Sequence, residues 1–486
     1  MVSSRLRLER RDPASQGVLA SRIVRFLDRL EAQHSEVHSL MIVRHGYVVA
    51  EGWWHPYGRD IPHMLFSLSK SFTSTAVGLA WAEGRISLEA PVLSFFPEED
   101  TASARSNMRS MQVRHLLMMG TGHVQDTSPL LAKLGGDNWV HGFFQCPVER
   151  EPGTHFLYNN GATYMLSAII QRVTGQTLLE YLTPRLLEPL GIEGATWPTC
   201  PRGINLGNSG LRLTTEDIAC FGQLYLNRGR FQGRTLIPEE WVQQATSMQI
   251  SNGTDPESDW EQGYGYQFWR SRHGAYRGDG AYGQFCFVLP DQDAVIAITS
   301  GLSDIRALPE AVWDELLPAL TEGPVQESPS ELALLTQRLN DLRLDDIPPS
   351  DPTEVQGLVS NKIKHVVLER EMGKAPLTLS LDLMYSDRIE VNIDEGGTLA
   401  QVACGLGESG LRGQLIPFEW GGERVPEPVM ARARWVDQNA LDLVFRFYQT
   451  PFCQRLQLRF DGDRVTAELH SNTMPDHVEC WQGKTE

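Results

Sequence analysis

A serine and a lysine three positions apart, Ser67 and Lys70, have types and spacing that suggest nucleophilic chemistry in this chain of 486 residues. The apolar residues that follow recur at helical spacing, so we predict a helix that begins near Ser67 and ends near Gly84. Positions i and i+3 of a helix lie on one face, so Ser67 Oγ and Lys70 Nζ can meet. A desolvated lysine can take the proton of a serine hydroxyl, which is otherwise a weak nucleophile. The alternative is a serine that caps the helix beside a solvated lysine.

A second candidate pair is Tyr158 and Asn160, which follow a Pro-Gly turn and precede a helical pattern. A tyrosine phenol near a buried lysine can relay protons. An asparagine amide can orient both the lysine and a substrate carbonyl. These two residue types therefore complement the serine and lysine.

The third candidate element is the glycine-rich run that contains Gly280, Ala281 and Gln284, just before a predicted strand. Glycine lets the backbone approach a substrate closely, and a free N–H in such a run can stabilise a developing oxyanion. The helix start at Ser67 offers another free N–H at the positive end of the helix dipole. We therefore expect this run to complete the site.

Apolar periodicity indicates the elements that must position these residues. Alternation around turns predicts hairpins at 39–49 and 285–298, and helical spacing predicts helices at 16–34 and 308–320. The intervening residues, about 66–263, hold several helical patterns, including 162–173 and 215–226. The order favours an antiparallel sheet built from both ends of a domain, flanked by helices, with a helical subdomain inserted.

The chain also predicts a second domain. Residues 1–325 form the predicted catalytic domain, and the Pro-, Ser- and Glu-rich residues 326–352 form a linker that contains a short helix at 331–342. From 353 to 486 the periodicity changes from 3.6 to 2, and short strands alternate with turns. This pattern is typical of an antiparallel sandwich or a small barrel.

Charge narrows the set of partners. The formal net charge is −18, and no block of clustered Lys or Arg appears, which argues against a nucleic-acid or anionic-membrane surface. No apolar run has the length of a signal peptide or of a membrane span, so we expect a cytoplasmic protein. A small-molecule substrate is the expected partner, and a homo-oligomer is compatible with the sequence.

Cysteine and histidine spacing gives no sign of a bound metal or cofactor. The seven cysteines are scattered without a C-x-x-C pair, and the thirteen histidines include no H-E-x-x-H. We therefore expect a metal-independent and cofactor-independent protein.

With Ser67-x-x-Lys70, Tyr158-x-Asn160 and a glycine-rich third motif in that order, the chain resembles the serine β-lactamase and DD-peptidase superfamily. Within it the likeness is to β-lactamase-related serine hydrolases, namely class C-like enzymes, family VIII esterases and aminohexanoate-oligomer amide hydrolases. The likeness covers about residues 35–320. It implies an α/β (α+β) β-lactamase/transpeptidase-like fold.

Carried over residue by residue, the resemblance implies that Ser67 is the acyl-enzyme nucleophile, Lys70 its proton acceptor and Tyr158 the acid and base for the leaving group and water. Asn160 and the run of Gly280, Ala281 and Gln284 would position the substrate, with an oxyanion hole from the N–H groups of Ser67 and Ala281. Penicillin-recognising members carry Lys-Thr-Gly or His-x-Gly at the third motif, which this chain lacks.

The resemblance implies a serine hydrolase that cleaves a small amide or ester bond. One alternative is an acyltransferase that uses the same acyl-enzyme, and another is a non-catalytic binding or scaffold protein. A true β-lactamase or cell-wall peptidase is disfavoured, because no lysine lies between Lys133 and Lys362 to hold a penicillin carboxylate. Arg277 is the remaining candidate for that cation.

Overall fold

The computed structural model describes residues 8–100, 106–344, 347–348, 363–369, 376–407, 410–418 and 425–485. The described residues cluster into two compact units. The first lies within Met1–Trp53, Pro62–Ser300 and Ile305–Asp341, and the second lies within Trp54–Ile61, Gly301–Asp304 and Leu342–Glu486. The predicted linker end at 349–352 and the start of the predicted third segment at 353–362 lie outside the described residues, and the domain boundaries stay a prediction.

In the described part of the first unit, six strands pair in the order β2-β1-β10-β9-β8-β7, and all described neighbours are antiparallel. Two further two-stranded pairs join β3 to β4 and β5 to β6. The strands are β1 (Val37–Arg44), β2 (Tyr47–Trp53), β3 (His63–Met64), β4 (Arg212–Leu213), β5 (Arg230–Phe231), β6 (Arg234–Thr235), β7 (Trp269–Arg270), β8 (Tyr276–Gly280), β9 (Gln284–Leu289) and β10 (Ala294–Ser300).

The helices of the described chain fall in the first unit, and most of them lie between β2 and β7. They are α1 (Ala20–Ala32), α2 (Ser69–Ala82), α3 (Ser106–Ser110), α4 (Val113–Leu117), α5 (Ser128–Gly135), α6 (Trp139–Gln145), α7 (Asn160–Thr174), α8 (Leu178–Leu182), α9 (Thr215–Leu226), α10 (Glu239–Thr246), α11 (Ala307–Ala311) and α12 (Pro329–Asn340). None of the described helices has the length and apolar character that crossing a membrane requires.

The predicted fold class is confirmed. Strand β1 is buried along its whole length, and it pairs with β2 on one side and β10 on the other, so the two chain ends of the unit share one sheet. Helix α9 packs against this sheet, and its residues Ile218, Phe221 and Leu224 are buried in the core. Burial of such side chains stabilises each by about 1.5–3 kcal/mol.

The structure refines one helix prediction and corrects another. The helix near the nucleophile begins at Ser69, and Ser67 lies in a 3-10 turn, Phe66–Leu68. Because α2 is buried on nearly all sides, its apolar pattern does not mark the first turn. The predicted helix at 308–320 is a short α-helix followed by a π-helical turn, Val312–Leu316, and a 3-10 turn. Pro318 removes a backbone donor there, so a regular α-helix cannot continue.

The second unit is a closed sheet, antiparallel except for the parallel pairing of Gly405 with Arg432, which confirms the barrel alternative. Its described strands pair in the order β14-β13-β12-β11-β20-β19-β18-β17-β16-β15, and a pairing of β14 with β16 closes the ring. Inward apolar side chains such as Leu379, Leu443 and Leu458 fill the interior. The strands are β11 (Ile363–Glu369), β12 (Leu377–Asp382), β13 (Arg388–Glu395), β14 (Thr398–Gly405), β15 (Leu411–Leu415), β16 (Glu427–Asp437), β17 (Ala440–Arg446), β18 (Cys453–Asp461), β19 (Arg464–Ser471) and β20 (Val478–Thr485).

Candidate active site

Lys70 lies in the first turn of α2, and only 1% of its surface is exposed. Its Nζ donates hydrogen bonds to Ser67 Oγ at 2.8 Å, to Asn160 Oδ1 at 2.7 Å and to the carbonyl oxygen of Asn208 at 2.9 Å. The structure therefore brings the first two predicted motifs together on one amine.

The three acceptors around Lys70 are all neutral groups, and no carboxylate of the described residues contacts the amine directly. Burial lowers the pKa of Lys70 to about 7, although the more distant carboxylates of Asp126 and Asp279 oppose the shift. A lysine with such a pKa is partly neutral at pH 7, and a neutral amine can accept a proton.

Tyr158 stands beside this pair. Its phenol is hydrogen-bonded to the Ser67 side chain, and burial nevertheless raises the pKa of Tyr158 well above its ordinary value. The ring stacks on Trp269 at 5.4 Å between centroids, meets Tyr264 edge-on at 6.3 Å, and lies 4.8 Å from Lys70 Nζ. The phenol is therefore protonated at neutral pH and can donate a proton.

Asn160 is the first residue of α7, and its side chain is fixed on both ends. The amide oxygen accepts from Lys70, and the amide nitrogen donates to Asp126 Oδ2 at 2.8 Å. The backbone N–H of Asn160 donates to the other oxygen of Asp126, also at 2.8 Å. Burial alone would raise the pKa of Asp126, but these hydrogen bonds and those from Ser128 outweigh it and lower the pKa.

Strand β8 passes directly against the turn that carries the serine. A Cβ at Gly280 would lie 2.2 Å from the carbonyl oxygen of Leu65, and a Cβ at Gly278 would lie 2.2 Å from Leu68 Cδ1. At Gly280 the near atom is backbone, so only glycine permits this approach, whereas at Gly278 the Leu68 side chain would have to move. Ala281 comes directly after the contact and is exposed, so the predicted third motif does lie beside Ser67.

Strained backbone occurs on both sides of this approach. Phe66, just before Ser67, has φ of 47°, and Tyr282, just after Ala281, has φ of 64°. Left-handed backbone costs a residue with a side chain about 1–2 kcal/mol. The two rings pack edge to face with centroids 5.1 Å apart, and this contact helps to hold the conformations. Such strain clusters at functional sites.

Gln284 is buried, and its amide joins two strand ends. Nε2 donates to the carbonyl oxygens of Ser300 at 2.7 Å and Ala281 at 3.1 Å, and Oε1 accepts from the N–H of Ser300 at 3.3 Å. These bonds tie the turn after β8 to the end of β10. A direct role of Gln284 in substrate positioning stays a prediction.

Arg277 does not present a free cation to the site. Its side chain has no exposed surface and forms an ion pair with Asp279 at 2.9 Å. The guanidinium also donates to Ser271 Oγ at 2.7 Å and to the carbonyl oxygen of Asp259 at 2.8 Å, and it lies over the Trp260 ring. Its charge is therefore balanced inside the protein.

Two parts of the site, Asp126 and the Asn208 carbonyl, could not be predicted from the sequence. Asp126 begins an Asp-x-Ser pattern that favours a local Asx turn, which is observed with Ser128 at 3.1 Å, but the pattern does not reveal Asn160 as a partner. Asn208 contributes a backbone carbonyl, which has no sequence signature. Within the described ranges, no three His, Cys, Asp or Glu side chains are grouped closely enough to hold a metal ion.

Comparison with known proteins identifies relatives of this chain. A family model described as beta-lactamase matches residues 24–309. The 6-aminohexanoate-dimer hydrolase of Paenarthrobacter ureafaciens is 26% identical over 323 residues, which cover 61% of this chain and 82% of that protein. Esterase EstB of Burkholderia gladioli is 26% identical over 199 residues, which cover 36% of this chain and 50% of that esterase.

A solved structure extends the likeness beyond the family match. The crystal structure of SurE has a TM-score of 0.51 at 17% identity and covers 91% of this chain and 94% of its own. At this identity the likeness concerns the fold alone. The family match spans more than half of the 486 residues and confirms the resemblance inferred from the motifs. The chain therefore belongs to the beta-lactamase family.

Proposed function

We propose that this beta-lactamase-family hydrolase is a serine hydrolase that cleaves a small amide or ester bond through an acyl-enzyme on Ser67. The observation that carries the proposal is the 2.8 Å contact between Ser67 Oγ and the buried amine of Lys70. A serine needs a base to become a nucleophile, and Lys70 is the group in contact whose pKa lies near 7.

Acylation begins with neutral Lys70. Ser67 Oγ attacks the substrate carbonyl carbon while its proton passes to Lys70 Nζ, and the carbonyl oxygen takes up the negative charge. The bond to the leaving nitrogen or oxygen then breaks, and the leaving atom needs a proton. Tyr158, which contacts Ser67, relays to it the proton that Lys70 received.

Deacylation runs the same proton path in reverse. A water molecule attacks the acyl carbon, and Tyr158 and Lys70 take its proton. When the bond to Ser67 Oγ breaks, Lys70 returns a proton to Oγ, so the enzyme regains its starting state. Because burial raises the pKa of Tyr158, the phenol acts as a proton relay, and Lys70 holds the proton between steps.

The oxyanion in both steps requires donors near Ser67. The N–H groups of Ser67 and Ala281 are the proposed pair, because Gly280 lies against the Leu65 carbonyl and places Ala281 next to the Ser67 turn. One oxyanion donor is typically responsible for about 10²–10³-fold in rate.

The proposed substrates are neutral around the scissile bond. Arg277 is buried and paired with Asp279, so it is not available to a substrate carboxylate. The relatives named as an amide-dimer hydrolase and an esterase support the same class of bond. Trp269, which stacks on Tyr158 and is partly exposed, is the proposed apolar wall for the acyl group.

Covalent labelling tests this proposal. Wild-type protein incubated with a fluorophosphonate should gain one probe mass, and it should hydrolyse p-nitrophenyl butyrate. We expect Ser67→Ala to lose the label and about 10³-fold or more of kcat/KM.

Ser74→Ala is the matched control for this experiment. Ser74 lies in the same helix, and its hydroxyl has no hydrogen-bond partner among the described residues, so the variant should behave like wild type. Equal labelling of Ser67→Ala and wild type would show that another residue is the nucleophile.

A further inference from the structure

Asp126 is the most fully hydrogen-bonded carboxylate at the site, although it touches neither Ser67 nor Lys70. Oδ1 accepts the backbone N–H groups of Ser128 at 3.1 Å and Asn160 at 2.8 Å. Oδ2 accepts the Ser128 hydroxyl and the Asn160 amide nitrogen, both at 2.8 Å. This arrangement binds the segment just before α5 to the start of α7.

The carboxylate determines which end of the Asn160 amide faces Lys70. An ionised carboxylate can only accept hydrogen bonds, so the Asn160 NH2 group must face Asp126. The Asn160 oxygen therefore faces Lys70, as the 2.7 Å contact shows. Without the carboxylate, the amide could rotate by 180° and present a donor to the amine.

The orientation of Asn160 in turn directs the lone pair of Lys70. A neutral amine has two N–H donors and one lone pair. The Asn160 oxygen and the Asn208 carbonyl can only accept, so they engage both N–H groups at 2.7 and 2.9 Å. The lone pair is then left for the third neighbour, Ser67 Oγ, which is the group that must lose a proton.

We propose that Asp126 is a positioning residue of this site, because its carboxylate fixes the Asn160 amide so that the neutral Lys70 amine turns its lone pair toward Ser67. The inference rests on the proposed serine hydrolase function. Asp126 acts entirely through Asn160 and does not contact the reacting atoms.

A second clamp holds the Asp126 loop in place. The buried side chain of Asn159 accepts the backbone N–H of Thr127 at 3.0 Å and the Thr127 hydroxyl at 2.8 Å. It also caps α7 by accepting the N–H of Gly161 at 3.1 Å. Asp126 thus binds Asn160, while its neighbour Thr127 binds Asn159. The position of Asp126 relative to Asn160 is therefore set by four side chains rather than by one contact.

The charged and titratable groups that face Lys70 come from three elements. They are Asp126 before α5, Tyr158 before α7, and Asp279 on β8, where Arg277 pairs with Asp279. The Asp126 variants must therefore leave Tyr158, Asp279 and Arg277 unchanged.

Exchanging the aspartate at position 126 with the asparagine at position 160 gives the sharpest test. In Asp126→Asn, the new amide oxygen can keep the two backbone donors, but its NH2 group faces Asn160 and favours the rotated amide. We expect kcat/KM for p-nitrophenyl butyrate to fall about 100-fold. The double variant Asp126→Asn/Asn160→Asp restores an acceptor toward Lys70 and should recover at least about tenfold at pH 9.

The pH profile separates positioning from a general loss of packing. A carboxylate at position 160 would contact Lys70 and raise its pKa, so the acidic limb of kcat/KM should move to higher pH in the double variant. In Asp126→Asn a negative charge is removed, and the limb should move to lower pH. Equal profiles in all three proteins, or a double variant no more active than Asp126→Asn at any pH, would overturn the inference.

Lysine NMR provides a readout that does not depend on turnover. The chain has six lysines, so ¹³Cε-lysine spectra are simple, and Lys70→Met identifies the Lys70 signal. The Lys70 titration should shift down in pH in Asp126→Asn and up in the exchange variant. Asp137→Asn is the charge-matched control, because Asp137 is exposed and pairs only with Arg202 at 3.3 Å among the described contacts.

The outcomes distinguish the two proposals. If Ser67→Ala is as active as wild type, the proposed function fails, yet opposite Lys70 shifts would still support the Asp126 geometry. If Ser67→Ala is inactive while Asp126→Asn keeps wild-type kcat/KM and Lys70 titration, the positioning role fails and the hydrolase remains.

Discussion

Two buried basic side chains, Lys70 on α2 and Arg277 on β8, lie in the same site but contact different kinds of group. Lys70 is surrounded by a hydroxyl, an amide oxygen and a backbone carbonyl, and burial lowers its pKa to about 7. Arg277 is equally buried, but it contacts the carboxylate of Asp279 at 2.9 Å. The Arg277 charge is neutralised by a partner, whereas Lys70 can become neutral by losing its proton.

The contrast shows what burial does to a charge when its neighbours differ. A desolvated cation without a contacting carboxylate is driven toward its neutral form, and a guanidinium cannot follow this route because it keeps its proton. Lysine is therefore suited to proton transfer with Ser67, and arginine is suited to a permanent ion pair that holds β8.

Replacing Lys70 by arginine should have the largest effect on activity, and replacing Arg277 by lysine a much smaller one. Lys70→Arg keeps a positive charge but cannot take the Ser67 proton, so we expect kcat/KM to fall by about 10³–10⁴-fold. Arg277→Lys retains a cation beside Asp279, and its kcat/KM should stay within about tenfold of wild type. Steady-state ester hydrolysis measures both. Comparable activity of Lys70→Arg and wild type would refute the assignment of Lys70 as the base.

Removing the paired cation should affect stability more than chemistry. Arg277→Met leaves Asp279 buried without its partner, and breaking a buried pair in this way costs about 3–5 kcal/mol in free energy of unfolding. The double variant Arg277→Met/Asp279→Leu removes both charges and should lose clearly less. Urea unfolding of the variants measures the difference. Strictly additive losses would mean that the two side chains are not coupled.

Lys70 should give stability a pH dependence that Arg277 does not. The folded-state pKa of Lys70 is about 7, below its ordinary value of 10.5, so between these values the unfolded chain binds a proton that the folded chain does not. Wild-type stability should therefore gain from this residue as pH rises above 7, by up to about 1.4 kcal/mol per pH unit. The gain is lost as pH falls toward 7.

The variant Lys70→Met lacks this contribution. The difference in free energy of unfolding between Lys70→Met and wild type should shift by about 2 kcal/mol in favour of wild type from pH 7 to pH 9. Urea unfolding at the two pH values measures it. A pH-independent difference would show that Lys70 keeps its ordinary pKa in the folded protein.

Local signals in the sequence were sufficient for several elements. The predicted helix over 215–226 agrees with α9 residue by residue, because Thr214 and Asp217 form a capping box that marks its start. The 3.6-residue spacing placed Lys70 one turn from Ser67. The 3-10 turn that leads into α2 could not be predicted, because a helix buried on nearly all sides has no polar face to mark its first turn.

Long-range contacts limited how much of the site could be predicted from the sequence. The oxygens of Asp126 meet Asn160, 34 residues later in the chain, and the Asn208 carbonyl meets Lys70 across 138 residues. Neither partner follows from residue type or spacing. Gly280 was predicted to allow a close approach, but that its neighbour is the Leu65 carbonyl could be learned only from the structure.

The rate at which a fluorophosphonate labels Ser67, measured as a function of pH, tests the central claim most directly. If neutral Lys70 takes the Ser67 proton, the labelling rate of wild type should rise with a midpoint at about pH 7. Lys70→Arg should label far more slowly at every pH. A wild-type rate that is flat between about pH 5 and 9, or that equals the Lys70→Arg rate, would contradict the account.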